Sequence, residues 1–286
     1  MTESLQRIAI LGAGTMGHGI AHVCAAAGYA TTLFDLTSDA VETGLQKVQA
    51  NLDKGIARGK VTEEQKASTL GNLRGTADFD DAVGGVDLVI EAVPEKLELK
   101  HDVLGRAAAL AAPGAILGTN TSSLSIDSIA SALPDPSRVI GLHFFNPVHI
   151  MKLLEIIVGP KTDRTVYEAA AAFGERIGKQ TIKISDFPGF ATSRLGLVIG
   201  LEAIRMVEQG VGSPEDIDKA MTLGYGFPMG PLRLTDLVGL DVRLHIAEYL
   251  SEKLDDGAHF KPPVLLREMV EAGKLGKKSG QGFYSW

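Results

Sequence analysis

Residues 7–17 read RIAILGAGTMG, and this stretch decides the fold. The apolar run 7–11 has the composition of a strand buried on both faces, as strands of parallel sheets are. It stops at Gly12, and residues 15–28 then return to helical periodicity. Gly12 permits the tight turn between them. Gly14 lets the backbone approach a pyrophosphate, and Gly17 lets helix and strand pack closely. Thr15 and Met16 lie at the helix start, where exposed N–H groups would receive the phosphates. A second strand over 30–34 ends at Asp35, 18 residues after Gly17. An acid there accepts hydrogen bonds from an adenosine ribose. Its charge repels a 2′-phosphate, and no arginine follows within reach in sequence, so the pattern predicts NAD rather than NADP. A glycine-rich turn alone says little; strand, glycines, helix and acid together are specific.

Outward from this unit the alternation continues. A polar helix is expected over 39–58 and another from 62, with strands over 88–93, 115–119 and 139–144. Residues 96–111 read as a helix between two of these strands. Two more strands, 152–158 and 180–184, flank a helix near 165–177. Such alternation implies a sheet covered by helices on both faces. The character changes at Asp186-Phe187-Pro188-Gly189, beyond which the chain reads as helical. Residues 190–209 are apolar all round, as in a central buried helix. Ser213-Pro214-Glu215-Asp216 sets a hydroxyl N-cap, a proline at the first helical position and a carboxylate three residues on. Further helices are expected over 232–254 and 262–273. The predicted class is α/β: a Rossmann-like, mostly parallel sheet domain over 1–185, then an all-helical C-terminal domain over 186–286.

Composition removes several classes of function. The 286 residues carry a formal net charge of −7, which argues against nucleic acid as the main partner. It does not exclude a small polyanion held by local cations. The single cysteine, Cys24, excludes an internal disulfide framework or a cysteine-rich metal site, and reads as an inert core thiol. No metal is expected, since the histidines form no recognisable ligand set. No apolar run approaches membrane-spanning length, and the first ten residues lack signal-peptide organisation, so no membrane association and a cytoplasmic location are expected.

A second group of residues suggests chemistry. Asn120-Thr121-Ser122-Ser123 precedes Gly141-Leu142-His143-Phe144-Phe145-Asn146-Pro147, and then Met151-Lys152-Leu153-Leu154-Glu155. His143 ends a strand, and the carboxyl edge of an open α/β sheet is where ligands bind. Glu155 falls twelve residues later, within another strand. If those strands are neighbours, the carboxylate bonds one imidazole nitrogen and leaves the other for a substrate. A histidine among phenylalanines is more often a satisfied core residue, and spacing by itself does not decide between the two.

The strings GLHFFNPVHIMKLLE, NTSS and GAGTMG closely resemble the 3-hydroxyacyl-CoA dehydrogenase family. The resemblance runs nearly end to end and includes Glu91-Ala92-Val93-Pro94-Glu95, Pro188-Gly189-Phe190, Pro228-Met229-Gly230-Pro231 and the closing 276–284, GKKSGQGFY. It implies that His143 is the general base or acid, that Glu155 orients it, and that Ser122 holds the substrate oxygen near the nicotinamide. It further implies that Glu95, Lys100, Asn146 and Lys278 contact the cofactor, and that the chain forms a homodimer. Lys54 and Arg58, spaced i, i+4 on one helix face, would then meet CoA phosphates; without the resemblance they read as a solvated face. One position departs: the family shows Asn in PGF-x-x-N-R, where this chain has Ser193 before Arg194. That amide helps bind the substrate carbonyl, so Ser193 is the candidate for its task.

The resemblance implies NAD-dependent interconversion of short-chain (S)-3-hydroxyacyl-CoA and 3-oxoacyl-CoA. The sequence starts at the first Rossmann strand and stops just past the GFY run, which predicts a dehydrogenase with no fused hydratase. Two other readings stay open at this point. One is a dehydrogenase of free hydroxy or sugar acids, which would not need Lys54 and Arg58. The other is a cofactor-binding structural or sensory protein without turnover, which would not need Ser122, His143 and Glu155 together.

Overall fold

The computed structural model describes residues 5–286. It divides into two compact units between Asp186 and Phe187.

The first unit contains strands β1 (Arg7–Leu11), β2 (Ala30–Phe34), β3 (Leu73–Thr76), β4 (Leu88–Glu91), β5 (Ile116–Thr119), β6 (Val139–Phe144), β7 (Leu153–Val158) and β8 (Gln180–Ser185). They form one sheet in the order β3-β2-β1-β4-β5-β6-β7-β8. Every pairing from β3 to β6 is parallel. β7 turns back antiparallel to β6, and β8 runs parallel to β7. Helices α1 (Gly17–Ala26), α2 (Ser38–Ala57), α3 (Glu63–Gly71), α4 (Phe79–Val83), α5 (Leu97–Leu110), α6 (Ile126–Ala130) and α7 (Arg164–Arg176) accompany it. Strand order reverses between β1 and β4, and at such a switch point the carboxyl ends of the strands open a crevice.

Local chemistry explains the boundaries. Ile8, Ile10, Leu33, Leu88, Ile90, Ile140 and Leu142 are essentially inaccessible, which is why β1, β2, β4 and β6 read as continuous apolar runs. Thr37 caps α2 by accepting from the Ala40 N–H, and Thr62 with Gln65 forms a full capping box on α3. The helix expected from 62 thus has its start fixed by two residues. Strand β3 was not expected: Leu73-Arg74-Gly75-Thr76 is short, only partly buried and interrupted by glycine. Its glycine is required by packing, because a Cβ at Gly75 would lie 2.3 Å from the Val41 side chain.

The second unit holds α8 (Thr192–Glu208), α9 (Pro214–Gly224), α10 (Pro231–Val238), α11 (Leu240–Lys253) and α12 (Val264–Glu271). Leu197, Leu201 and Ile204 of α8 form its core with Leu232, Leu240, Leu250, Phe260 and Leu266. Two expectations need correction here. Helix α8 is not covered all round, since Leu195 is 62% exposed. The helix expected over 232–254 is two helices, broken at Gly239, whose φ of +104° suits only glycine. Ser213 caps α9 through the Asp216 N–H, with Pro214 at the first helical position. Buried Asp236 accepts from the Phe283 and Tyr284 N–H groups and the Trp286 indole, fastening the C-terminal run to α10.

Candidate active site

The sheet brings His143 and Glu155 together by register. They stand directly opposite each other in the antiparallel β6–β7 pair, so both side chains leave the same face. His143 Nδ1 meets Glu155 Oε2 at 2.7 Å, with the carboxylate wholly buried and the imidazole 7% exposed. An ionised carboxylate only accepts, so Nδ1 carries the proton and Nε2 is the ring's basic nitrogen. The Phe145 ring packs against the imidazole, centroids 4.5 Å apart. Asn120 Oδ1 accepts from the Phe144 N–H at 2.9 Å, which fixes the strand end carrying the histidine.

The glycine turn follows β1 at the same carboxyl edge. Gly12 has φ +106° and lies so close to the Ala92 carbonyl that a Cβ would come within 2.8 Å. A Cβ on Gly17 would collide with the Gly12 carbonyl oxygen at 1.6 Å, whereas one on Gly14 would meet nothing within 4 Å. Two glycines therefore fit backbone against backbone, and the third leaves open space where a pyrophosphate could approach. Asp35 Oδ2 accepts from the Ala13 N–H at 2.7 Å, which ties the acid ending β2 to the turn. Glycines and acid thus make one cradle that fits a dinucleotide. Thr15 is exposed and Met16 half-buried at its rim.

Ser122 follows β5 at the same edge. Glu95 Oε1 accepts from the Ser122 N–H (3.0 Å), the Ser123 N–H (3.2 Å) and the Thr121 hydroxyl (2.6 Å). Behind it lies Lys100, 1% exposed, whose ammonium is 2.8 Å from Glu91 and 3.2 Å from Glu95. The Thr119 hydroxyl donates to Glu91 as well. Burial alone would raise the Glu95 carboxyl, but Lys100, the Thr121 hydroxyl and the Ser122 N–H together hold it below the usual carboxylate range. Lys100 in this arrangement grips Glu95, and Glu95 in turn grips the turn carrying Ser122. The sequence named Glu95 and Lys100 only through resemblance, and the part of Glu91 in holding Lys100 was missed.

A groove of about 790 Å³ opens between α1, the end of α2 and the segment after β6. Lys54, Arg58, Lys60 and Lys152 line it, with Asn146 at its edge. The spacing of Lys54 and Arg58 does place both on this side of α2. Three histidines join them: His18, His22 and His149. His22 is 7% exposed and stacks on His149 with centroids 5.3 Å apart. Burial first, then His149, His18 and Lys179, push its pKa down to about 4, leaving it neutral. Nothing in the sequence pattern marked His22 or His149, because the segments bearing them meet only in the fold.

Ser193 and Lys278 belong to the second unit. Ser193 is in the first turn of α8, and Lys278 pairs with Asp241 at 2.6 Å. Among the described residues no three His, Cys, Asp or Glu side chains gather as a metal site, and no helix is long and apolar enough to cross a membrane.

The 3-hydroxyacyl-CoA dehydrogenase NAD binding domain matches residues 7–187, and the C-terminal domain of the same family matches 189–286. The chain belongs to the 3-hydroxyacyl-CoA dehydrogenase family. It is therefore an NAD-dependent oxidoreductase, and the non-catalytic reading falls. A 3-hydroxybutyryl-CoA dehydrogenase of Mycobacterium tuberculosis is 43% identical, with each chain fully covered. One from Bradyrhizobium diazoefficiens is 41% identical over 100% of this chain and 97% of its own. The crystal structure of (S)-3-hydroxybutyryl-CoA dehydrogenase from Ralstonia eutropha superposes with a TM-score of 0.95 at 40% identity, covering 99% of both chains. The mostly parallel sheet followed by a helical unit is thus the dehydrogenase's family fold.

Proposed function

We propose that this dehydrogenase interconverts short-chain (S)-3-hydroxyacyl-CoA and 3-oxoacyl-CoA, with 3-hydroxybutyryl-CoA and acetoacetyl-CoA as the working pair. The observation that carries the reading is the His143–Glu155 contact at the carboxyl edge of the sheet. His143 Nε2 removes the 3-hydroxyl proton during oxidation and returns it during reduction. Glu155 fixes the tautomer and stabilises the imidazolium that forms. Ser122, held by Glu95, donates to the substrate oxygen, and Ser193 takes the task of the family's amide at the thioester carbonyl. Gly12, Gly14, Thr15, Met16, Gly17 and Asp35 would hold NAD, with Glu95, Asn146 and Lys278 assisting. NAD when bound supplies the hydride acceptor. Lys100 acts through Glu95.

The cationic groove favours a CoA thioester over a free hydroxy acid, which has no phosphates to engage. Replacing Lys54 and Arg58 together by Ala is expected to raise KM for acetoacetyl-CoA several-fold while KM for NADH stays put. The difference should shrink in high salt, where exposed charges are already screened. Unchanged acyl-CoA kinetics in the double variant would put the CoA elsewhere.

Asp35 carries the cofactor choice. NADH is expected to exceed NADPH in kcat/KM by at least about tenfold, equivalent to about 1.4 kcal/mol. Equal kinetics with both reductants would contradict this role. The exposed apolar side chains Leu223 on α9, Tyr225 just after it, and Leu234, Leu237 and Val238 on α10 support a homodimer through the helical unit. A cytoplasmic location fits the same picture.

A further inference from the structure

Lys179 stands between α7 and β8 and is 8% exposed, yet among the described residues no carboxylate pairs with its ammonium. Its Nζ donates instead to two backbone carbonyls, that of Val148 and that of Met151, the latter at 2.7 Å. Both belong to the single helical turn that follows β6. There the Ile150 and Met151 N–H groups donate to the Pro147 carbonyl at 2.9 and 3.0 Å, and no helix continues beyond. A turn that stops leaves its own carbonyls without N–H groups from a next turn, and the aligned peptide dipoles put partial negative charge on them. The Lys179 ammonium answers two of these carbonyls at once. Burial is unfavourable for the charge and holds its pKa below the usual lysine range. An apolar side chain would fill the position without that cost, so the lysine is explained by the turn it holds.

That turn is one wall of the cationic groove. Pro147, Val148, His149 and Ile150 line it, with Lys152 just beyond, and Lys54 and Arg58 at the end of α2 line it as well. Val148 seats the turn on α1: it is 1% exposed, and a Cβ on Gly19 would come within 2.9 Å of its side chain. The outer part has no such apolar seat, since Ile150 is 57% and Met151 40% exposed. It is held through its backbone, by the Met151 carbonyl on Lys179 and by the Gln180 N–H donating to the Lys152 carbonyl at 2.7 Å. Lys179 is itself fixed, because its N–H donates to the Gly174 carbonyl of α7 at 2.9 Å and β8 begins at the next residue.

We propose that Lys179 is a positioning residue for substrate: it clamps the 147–151 turn in the shape that receives the CoA moiety. The proposal rests on the reading that CoA occupies this groove. Loss of the clamp loosens the groove wall and weakens acyl-CoA binding, but it leaves the chemical step intact. His143 and Glu155 are held by the β6–β7 register, and the end of β6 by the Asn120 side chain, neither of which involves Lys179. The glycine turn and Asp35 follow β1 and β2, so NADH binding is spared as well.

The test is steady-state kinetics of the full chain with acetoacetyl-CoA and NADH. In Lys179→Met, KM for acetoacetyl-CoA is expected to rise at least about tenfold, with kcat within about twofold of the parent and KM for NADH unchanged. Lys179→Arg keeps charged donors and should recover most of the loss, and Lys179→Gln, with a neutral donor, should fall between. If Lys179→Met does not fold, the Gln and Arg variants still decide, through their order in KM. A lysine that merely stabilises the fold would lower the melting temperature and leave KM for acetoacetyl-CoA where it was; that result would overturn the proposal. So would a fall in kcat at unchanged KM, which would assign the lysine to the dyad rather than to the groove. The Lys54→Ala, Arg58→Ala double variant separates the two readings. A raised acyl-CoA KM there with none in Lys179→Met would overturn the clamp alone, whereas an unchanged KM in the double variant would remove CoA from the groove and the clamp's role with it.

Discussion

His143→Gln is expected to lower kcat by about 10²–10⁴-fold, the range for losing a positioned general base. NADH binding should persist, because the glycine turn and Asp35 are built on β1 and β2, whereas the histidine ends β6. Glu155→Gln keeps the shape of the partner and removes its charge. It should cut kcat substantially, since the imidazolium formed during the reaction loses its anionic neighbour. The double variant should be little worse than His143→Gln alone, because residues acting as one unit are not additive. Two independent losses that multiply would show that the 2.7 Å contact is not a functional dyad.

Lys100→Met is expected to destabilise the first unit by about 3–5 kcal/mol, the usual cost of stripping one partner from a buried ion pair. Glu91 is wholly buried and, among the described residues, would keep its carboxylate with only the Thr119 hydroxyl and the Val93 N–H as donors. The double variant Lys100→Met, Glu91→Leu should recover most of the loss, because apolar replacements of buried pairs are often neutral. Urea unfolding monitored on the transition of the first unit measures both. A loss below about 1 kcal/mol for Lys100→Met would mean that the pair is well solvated, and the account of how Glu95 is held would need replacing.

Much of this was legible from the chain. The glycine turn declares itself because each glycine answers a steric demand: Gly12 and Gly17 approach backbone too closely for any Cβ, and Gly14 faces open space. The buried strands beside it are uninterrupted apolar runs. Strand β3 was not legible, because Leu73-Arg74-Gly75-Thr76 has neither the length nor the alternation of a strand and gains its conformation from pairing with β2. The break at Gly239 is also ambiguous in sequence, since an isolated glycine within a helical pattern is usually tolerated. His143 and Glu155 were each visible, but their meeting depends on an antiparallel register that a spacing of twelve residues does not dictate. Least visible were the groups that act only in three dimensions: Glu91 beneath Lys100, His22 stacked on His149, and Lys179 on the carbonyls of the turn after β6.

The central claim is that this active site reduces a CoA thioester of a 3-oxo acid with NADH, using its cationic groove to select the thioester. The most direct measurement is NADH oxidation by the purified protein with acetoacetyl-CoA and with free acetoacetate, at equal concentrations. Rapid oxidation is expected with acetoacetyl-CoA, and a kcat/KM lower by orders of magnitude with free acetoacetate. Comparable or faster turnover of the free acid would contradict it and would return the groove to an ordinary solvated surface.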